Sequence, residues 1–262
     1  MTNPERIFLL KPKGVESFTK GRLRNGFYDS FNQTIAIDRT SSKVTLAMTV
    51  AHESFHMSSY QAAQIFEDGS SGSYRSGIGM TGRQGEEKYF NLAQEAIIAT
   101  LSRRFFDEVI SKDPLYSKEI EQTETIKKWL VNFSENKIQD KDSKEKALIV
   151  IKNILVLPNI GSIYDQLFES KKDDNYKFGY LMGFFEEELK SGSIFHERIE
   201  EREKFEDTLD EIIKKSEGKI SDRKELFDEF ARAHFSGNYL NLARIIEGAL
   251  GKGSFRKIAE KI

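Results

Sequence analysis

The sequence predicts a mostly helical α+β protein, with a small amount of sheet near the start of the chain. Two short apolar runs, at 6–10 and 34–38, are separated by a Gly- and Asn-bearing stretch, which is typical of strands joined by a turn. Apolar residues then recur at helical spacing over about 43–66 and 86–111. Beyond Pro114 the pattern is helical to the end of the sequence.

The helical half is divided by proline, glycine and serine breaks. Pro158 interrupts one run, and a Ser-Gly-Ser segment at 191–193 interrupts another. We therefore expect a first domain over 1–112 and a helical domain over 113–262 that packs against it. The expected helices lie at 117–137, 143–157, 162–190, 195–216, 221–236, 238–250 and 254–261.

Composition narrows the possible functions. The 262 residues carry a net charge of −2, which makes no case for a nucleic-acid or acidic-membrane partner. The sequence lacks the run of about 18 apolar residues that a membrane span needs. Because Met1–Arg6 shows no secretory pattern and the chain has no cysteine, we expect a cytoplasmic protein without disulfides.

The pentapeptide His52-Glu53-Ser54-Phe55-His56 carries the strongest chemical signal. It has the H-E-x-x-H pattern of zinc proteases and holds two of the chain's four histidines. On a helix, residues at i and i+4 lie on one face, about 6 Å apart along the axis, so the two imidazoles can bind one Zn²⁺ together. The glutamate points about 100° around the helix, within reach of a water beside the metal.

The surrounding sequence predicts a buried helix for this motif. Ser41 and Ser42 offer N-cap oxygens before an apolar run that starts at Val44. Apart from small hydroxyls and the sector of the motif, the run is apolar nearly all round, and a helix with such a surface is buried. Buried ionisable groups need partners, which a metal ion supplies. The face expected opposite the histidines consists of Leu46, Ala47, Val50 and Met57.

A catalytic zinc site also needs a third protein ligand and one open position. The long metzincin form is excluded, because Ser59 and Ala62 stand where it requires Gly and His. The chain has no cysteine to serve as a ligand, and His196 and His234 are remote in sequence. The third ligand is therefore sought among the carboxylates.

Glu95 is the best candidate for this ligand. On the predicted helix its neighbours are apolar, and a carboxylate on an apolar face is costly unless it meets a cation. The alternative is a helix-edge glutamate that reaches water. Glu86, Glu87 and Asp107 are weaker rivals, because they lie in charged, solvent-like stretches.

Together these features resemble the gluzincin metallopeptidases, and their short spacing resembles the minimal members called minigluzincins. Thr34–Asp38 is similar to the family's edge strand above the active site. Tyr74–Met80 is similar to the loop between the two zinc helices, which forms part of the substrate wall, and Leu92–Ala99 is similar to the glutamate helix. The resemblance covers roughly residues 5–110 and implies a zincin-like layer followed by helices that wall the cleft.

Two positions depart from the family pattern. Gln94 stands where the family often has Asn, and Ala99 stands where some relatives carry an Asp that orients the first histidine. A zinc-bound histidine usually needs such a partner to set its tautomer and orientation. This chain must therefore supply the partner from another position.

The ligand set predicts a reaction as well as a metal. Zn²⁺ held by His52, His56 and Glu95 would lower the pKa of its water, and Glu53 would act as general base. A peptide substrate is expected to add along the edge strand at 34–38. By the resemblance, a Tyr or His from a later helix stabilises the oxyanion. Candidate donors, none preferred by the sequence, are Tyr74, Arg75, Tyr164, Tyr180, His196 and His234.

Two functions from different classes remain open at this point. The first is a zinc-dependent metallopeptidase. The second is a non-catalytic helical regulatory or binding module that keeps a structural or vestigial metal site. An open site with room for water favours the first, whereas a closed site with four protein ligands favours the second.

Overall fold

The protein is mostly helical, with two small sheets, as the α+β prediction required. A computed structural model describes residues 4–20, 25–40, 42–82, 87–138, 148, 151, 154, 160–169, 172–191 and 197–262. Within these residues no helix is both long enough and apolar enough to cross a membrane.

The first sheet has three strands and one short helix. Strand β1 (Ile7–Leu10) leads into helix α1 (Gly14–Phe18), and strands β2 (Gly26–Asp29) and β3 (Thr34–Asp38) follow. The spatial order is β1-β3-β2, with β3 parallel to β1 and antiparallel to β2. The strands predicted at 6–10 and 34–38 are therefore confirmed.

The prediction that residues 34–38 form an edge strand is wrong. Strand β3 is the central strand, since Ile35 is in register with Ile7 on one side and with Tyr28 on the other. The sequence pattern missed β2 because that strand is only four residues long and contains a glycine. Its pairing with β3 uses the backbone groups that a bound peptide would have needed.

Helix α2 (Lys43–Ser58) carries the H-E-x-x-H motif and is shorter than predicted. Ser42 is its N-cap, as expected, and its side-chain oxygen accepts from the backbone N–H of Thr45. The helix ends because Ser59 has extended backbone angles, φ −70° and ψ 151°. The predicted helical stretch up to residue 66 is instead partly strand.

The second sheet fills much of the region between the two predicted helices, including the segment 74–80 that the resemblance predicts to be a loop. Strands β4 (Gln61–Ile65), β5 (Ser71–Ser76), β6 (Gly79–Thr81) and β7 (Lys88–Tyr89) form an antiparallel meander in chain order. These strands alternate only weakly between apolar and polar residues. Their partners in the sheet, rather than their own periodicity, select the extended backbone.

Helix α3 (Asn91–Glu108) carries Glu95 and begins later than predicted. Phe90 precedes it with a left-handed backbone and no side-chain cap. The carbonyl oxygen of Ile262 supplies the cap, accepting from the N–H groups of Leu92 at 2.5 Å and Ala93 at 2.9 Å. A residue far along the chain thus satisfies donors that the helix start leaves open.

Apart from the run predicted at 162–190, the remaining helices agree with the predicted series where they are described. The expected helix at 143–157 lies mostly outside the described residues. The run expected at 162–190 is divided into a 3₁₀-helix at Ile160–Ile163, a π-helix at Asp165–Glu169 and a separate α-helix at Asp174–Ser191. The helices are α4 (Ser117–Lys137), α5 (Asp174–Ser191), α6 (Glu197–Lys215), α7 (Arg223–Ser236), α8 (Leu240–Leu250) and α9 (Ser254–Lys261).

The main core joins α3 to the last four helices. Buried Ile97 of α3 belongs to the same cluster as Phe205 of α6, Phe230 of α7 and Ile246 of α8. Ile78, from the turn between β5 and β6, is fully buried in this cluster. The C-terminal helices therefore hold the outer side of α3, while a smaller cluster fixes α3 against α2. A domain boundary at residue 112 stays a prediction.

A carboxylate from the helical half caps the helix that bears the motif. Glu119 of α4 accepts from the Ser42 hydroxyl at 2.7 Å, from the Lys43 N–H at 2.8 Å and from the Val44 N–H at 3.2 Å. These are the first donors of α2, where the helix dipole also favours a negative charge.

Glu119→Gln is expected to lower the free energy of unfolding by about 1–2 kcal/mol, because it removes the charge and turns one acceptor into a donor facing backbone N–H groups. Urea denaturation followed by circular dichroism measures the change. Glu121→Gln is the matched control, since Glu121 is exposed on the same helix. Equal losses in the two variants would show that the cap contributes nothing.

Candidate metal centre

Helices α2 and α3 bring together the three side chains that the sequence selected. One ligand atom from each of His52, His56 and Glu95 can be chosen so that all three lie within 4.8 Å of one another. The His56 Nε2 atom is 3.6 Å from Glu95 Oε2. The two imidazole rings meet edge to face, with centroids 5.0 Å apart.

These separations fit a zinc ion. Two ligands at about 2.0–2.1 Å from a tetrahedral zinc lie roughly 3.3–3.4 Å from each other. The 3.6 Å between His56 and Glu95 is close to this value. The other pairs lie within 4.8 Å of one another, so they must come closer to bind one tetrahedral ion. Two imidazoles and one carboxylate are also a donor set that zinc prefers.

The antiparallel packing of α2 and α3 produces this convergence. His56 lies against Glu95, and His52, one turn earlier on α2, lies against Ser102, two turns later on α3. Further along the same pair, Val44 packs in one cluster with Phe106. Glu95 therefore faces the histidines because the apolar contacts between the helices set their register.

Burial varies across the site. His52 and Glu53 are 4% and 5% exposed, whereas the side chains of His56 and Glu95 are 14% and 21% exposed. The inner candidate ligand, His52, is shielded, and the outer two, His56 and Glu95, reach the surface. Solvent or a ligand therefore approaches from the side of His56 and Glu95.

Glu53 lies under strand β2. A Cβ added to Gly26 would lie 2.7 Å from Thr49 Cγ2 and 3.4 Å from Glu53 Oε1. Glycine at position 26 thus allows the backbone of β2 to pass directly over the glutamate of the motif. This contact was not predicted from the sequence, because β2 itself was not predicted.

The inner histidine has a neighbour that the sequence did not identify. The Ser102 hydroxyl oxygen is 3.5 Å from His52 Nδ1, and Ser102 is 3% exposed. Ser102 lies seven residues after Glu95, so the two project from one face of α3. This seven-residue spacing is visible in the sequence and could have identified Ser102 as a neighbour of the candidate site.

His234, a candidate oxyanion donor, has a structural role. The Ile78 N–H donates to Nδ1 at 3.2 Å, so Nε2 carries the proton and donates to the Ser59 hydroxyl at 2.5 Å. The Ser59 hydroxyl donates in turn to the Phe55 carbonyl at 2.7 Å. Burial, and to a smaller extent the nearby His56, lowers the pKa of His234 to about 3, so the ring is neutral.

Arg75 is likewise committed to the fold. Its guanidinium lies between the rings of Tyr60 and Tyr239, at 4.6 and 4.0 Å from their centroids, and donates to the Gly237 carbonyl at 2.9 Å. It thereby joins β5 to the end of α7. Tyr74 is its half-buried neighbour on the same strand.

The later tyrosines pack in a cluster that contains none of the three candidate ligands. Tyr164 stacks on Phe168 at 4.9 Å and packs in the cluster formed with α4 and α5. Tyr180 belongs to the same cluster, and its hydroxyl donates to Gln166. His196 lies outside the described residues. Among the described candidates, Tyr164, Tyr180 and His234 are therefore occupied by packing or hydrogen bonds.

The face of α2 opposite the histidines is not buried as predicted. Leu46 and Val50 are half-buried and line an apolar cavity of about 710 Å³, which Phe105 and Tyr116 close from the other side. None of the three candidate ligands lines this cavity. It is separate from the candidate metal centre.

No protein-family model, curated protein or solved structure matches this chain. The interpretation of the candidate site therefore depends on the geometry and chemistry of its own residues.

Proposed function

We propose that the protein is a zinc-dependent metallopeptidase of the gluzincin type, with a zincin-like arrangement of β3, α2 and α3. The observation that carries the proposal is the convergence of His52, His56 and Glu95 beside Glu53. A buried carboxylate next to a three-ligand site that is open on one side is what metal-assisted hydrolysis requires.

The residues present define distinct roles. His52, His56 and Glu95 would hold Zn²⁺, which when bound supplies Lewis acidity that polarises a peptide carbonyl and lowers the pKa of water. Glu53 accepts the proton of the attacking water and delivers it to the leaving nitrogen as the C–N bond breaks. Its low exposure favours this role, because water competes poorly there for the carboxylate.

The substrate peptide docks along β2, in place of the strand at 34–38. β2 is an edge strand of the first sheet, and its Gly26 lies against Glu53. The Asp38 N–H donates to the Asn25 carbonyl, so residues 25 and 38 form a hydrogen-bonded pair. Because such pairs alternate in antiparallel strands, the N–H and C=O groups of Gly26 and Tyr28 point away from β3. Gly26 is buried, so the groups that a peptide can reach are those of the half-buried Tyr28. An extended peptide can pair with them across the metal site.

Comparison of Tyr28→Pro with Tyr28→Ala tests this docking. Both lose the ring, but only proline loses the outward N–H. We expect kcat/KM for a peptide to be about 3- to 10-fold lower in the proline variant than in the alanine variant, which corresponds to one net hydrogen bond. Equal values would exclude β2 as the docking strand.

Metal analysis tests the site itself. The wild-type protein is expected to bind one zinc per chain and to cleave peptides from a random library, and a chelator should stop the cleavage. Glu95→Ala should weaken zinc binding by more than about 100-fold, since loss of an indirect partner alone costs 10- to 100-fold. Glu108→Ala is the matched control, an exposed glutamate at the end of the same helix.

Two results would overturn the proposal. Cleavage that persists without metal would exclude zinc chemistry. An X-ray absorption spectrum that shows a fourth protein ligand on bound zinc would indicate a structural site, and the protein would then be a helical binding module.

A further inference from the structure

We infer that Ser102 is the positioning residue for His52: its hydroxyl accepts the Nδ1–H proton and leaves Nε2 to face the metal. The inference depends on the proposed zinc site. Ser102 would be the orienting partner of His52 that some relatives carry as an Asp, at the position where this chain has Ala99.

The geometry selects Ser102. Its Oγ lies 3.5 Å from His52 Nδ1, and both residues are buried, at 3% and 4% exposed. A distance of 3.5 Å is the outer limit of a hydrogen bond, and such contacts near a reaction centre often tighten when the site is loaded.

The chemistry of the pair is consistent. A neutral imidazole that ligates a metal through Nε2 must carry its proton on Nδ1, and that proton needs an acceptor in a buried site. A serine hydroxyl in a helix can donate to a carbonyl one turn earlier and still accept on its free lone pairs. Ser102 can therefore hold one tautomer of His52 without adding a charge.

The register of α3 against α2 determines the position of Ser102. Glu95 and Ser102 are separated by two helical turns on one face, and His52 and His56 are separated by one turn on α2. A single antiparallel helix pair therefore supplies the outer ligand at one end of the site and the positioning hydroxyl at the other.

Zinc affinity, measured by competition with a chromophoric chelator, tests the inference. Ser102→Ala is expected to raise the zinc dissociation constant by about 10- to 100-fold. Ser102→Thr, which keeps the hydroxyl, should restore most of the affinity. Ser134→Ala is the matched control, because Ser134 is also buried but its hydroxyl donates to the Val131 carbonyl on α4.

Nitrogen-15 spectra of the zinc-loaded wild type provide a test that needs no variant. They are expected to show His52 with zinc on Nε2 and a slowly exchanging proton on Nδ1. Zinc on Nδ1 would overturn the inference, as would unchanged affinity in Ser102→Ala; either result leaves the peptidase proposal intact. A wild-type protein that binds no zinc would overturn both.

Discussion

Replacing Glu53 with glutamine is expected to abolish peptide hydrolysis while zinc stays bound. Glutamine has nearly the same shape as glutamate, so it preserves the contact with β2, but its amide cannot accept a proton from water. General base catalysis contributes about 10²- to 10⁴-fold to the rate, so kcat should fall by at least about 100-fold. Single-turnover cleavage of a peptide found in the library digest measures the loss.

The controls separate chemistry from folding. Glu67→Gln changes an exposed glutamate beyond the site and should retain activity. The zinc content and the unfolding midpoint of Glu53→Gln should equal those of the wild type. Activity retained by Glu53→Gln would remove the residue from its proposed role, whereas activity lost together with zinc would indicate that it acts on the site's structure.

Gly77→Ala is expected to have the largest effect on stability. Gly77 has a φ of +59°, and an added Cβ would lie 2.3 Å from Cε1 and 2.4 Å from Nδ1 of His234. The left-handed backbone costs an L-residue about 1–2 kcal/mol. The His234 ring must also move, which breaks its buried hydrogen bonds to Ile78 and Ser59 and adds about 1–3 kcal/mol. Urea denaturation should show a total loss of about 2–5 kcal/mol.

Gly69→Ala is the matched control for this prediction. Gly69 also has a positive φ, of +80°, but nothing lies within 4 Å of its added Cβ. The Gly69→Ala variant should therefore lose only the stability that the left-handed backbone costs an L-residue, about 1–2 kcal/mol. If the two variants lose equal stability, the contact between Gly77 and His234 does not support the fold.

The His234 contacts show how the C-terminal helices act on the candidate site. The ring lies on α7, yet it holds both the turn before Gly79 and the Ser59 hydroxyl at the end of α2. Glu119 holds the other end of α2 from α4. The motif helix is therefore fixed at both ends by residues of the helical half, so we expect that half to be needed for a stable site.

The three candidate ligands could be selected from the sequence because each had a local signature. His52 and His56 are at helical spacing, and Glu95 is a carboxylate among apolar neighbours, which is costly without a cation. Residue type also limited the cap of α2 to Ser41 and Ser42, and the structure shows that it is Ser42. Most helices of the second half followed from periodicity where they are described, but the division of the run at 162–190 did not.

The residues around the ligands had no comparable signature. Gly26 matters only because β2 crosses Glu53, and Ser102 only because α3 packs antiparallel to α2. The sequence offered His234 as a candidate oxyanion donor, but burial and two hydrogen bonds make it part of the core. In each case the deciding partner is distant in sequence.

The sequence by itself was thus sufficient to select two imidazoles and a carboxylate as candidate ligands. Helical spacing and residue type are properties of short segments, so they can be read without the tertiary structure. The edge position of β2, the end of α2 at Ser58 and the neighbour of His52 depended on the packed chain. These three features are set by which strands pair and by how the helices align. Such contacts join segments that are distant in sequence, so a local sequence pattern does not predict them.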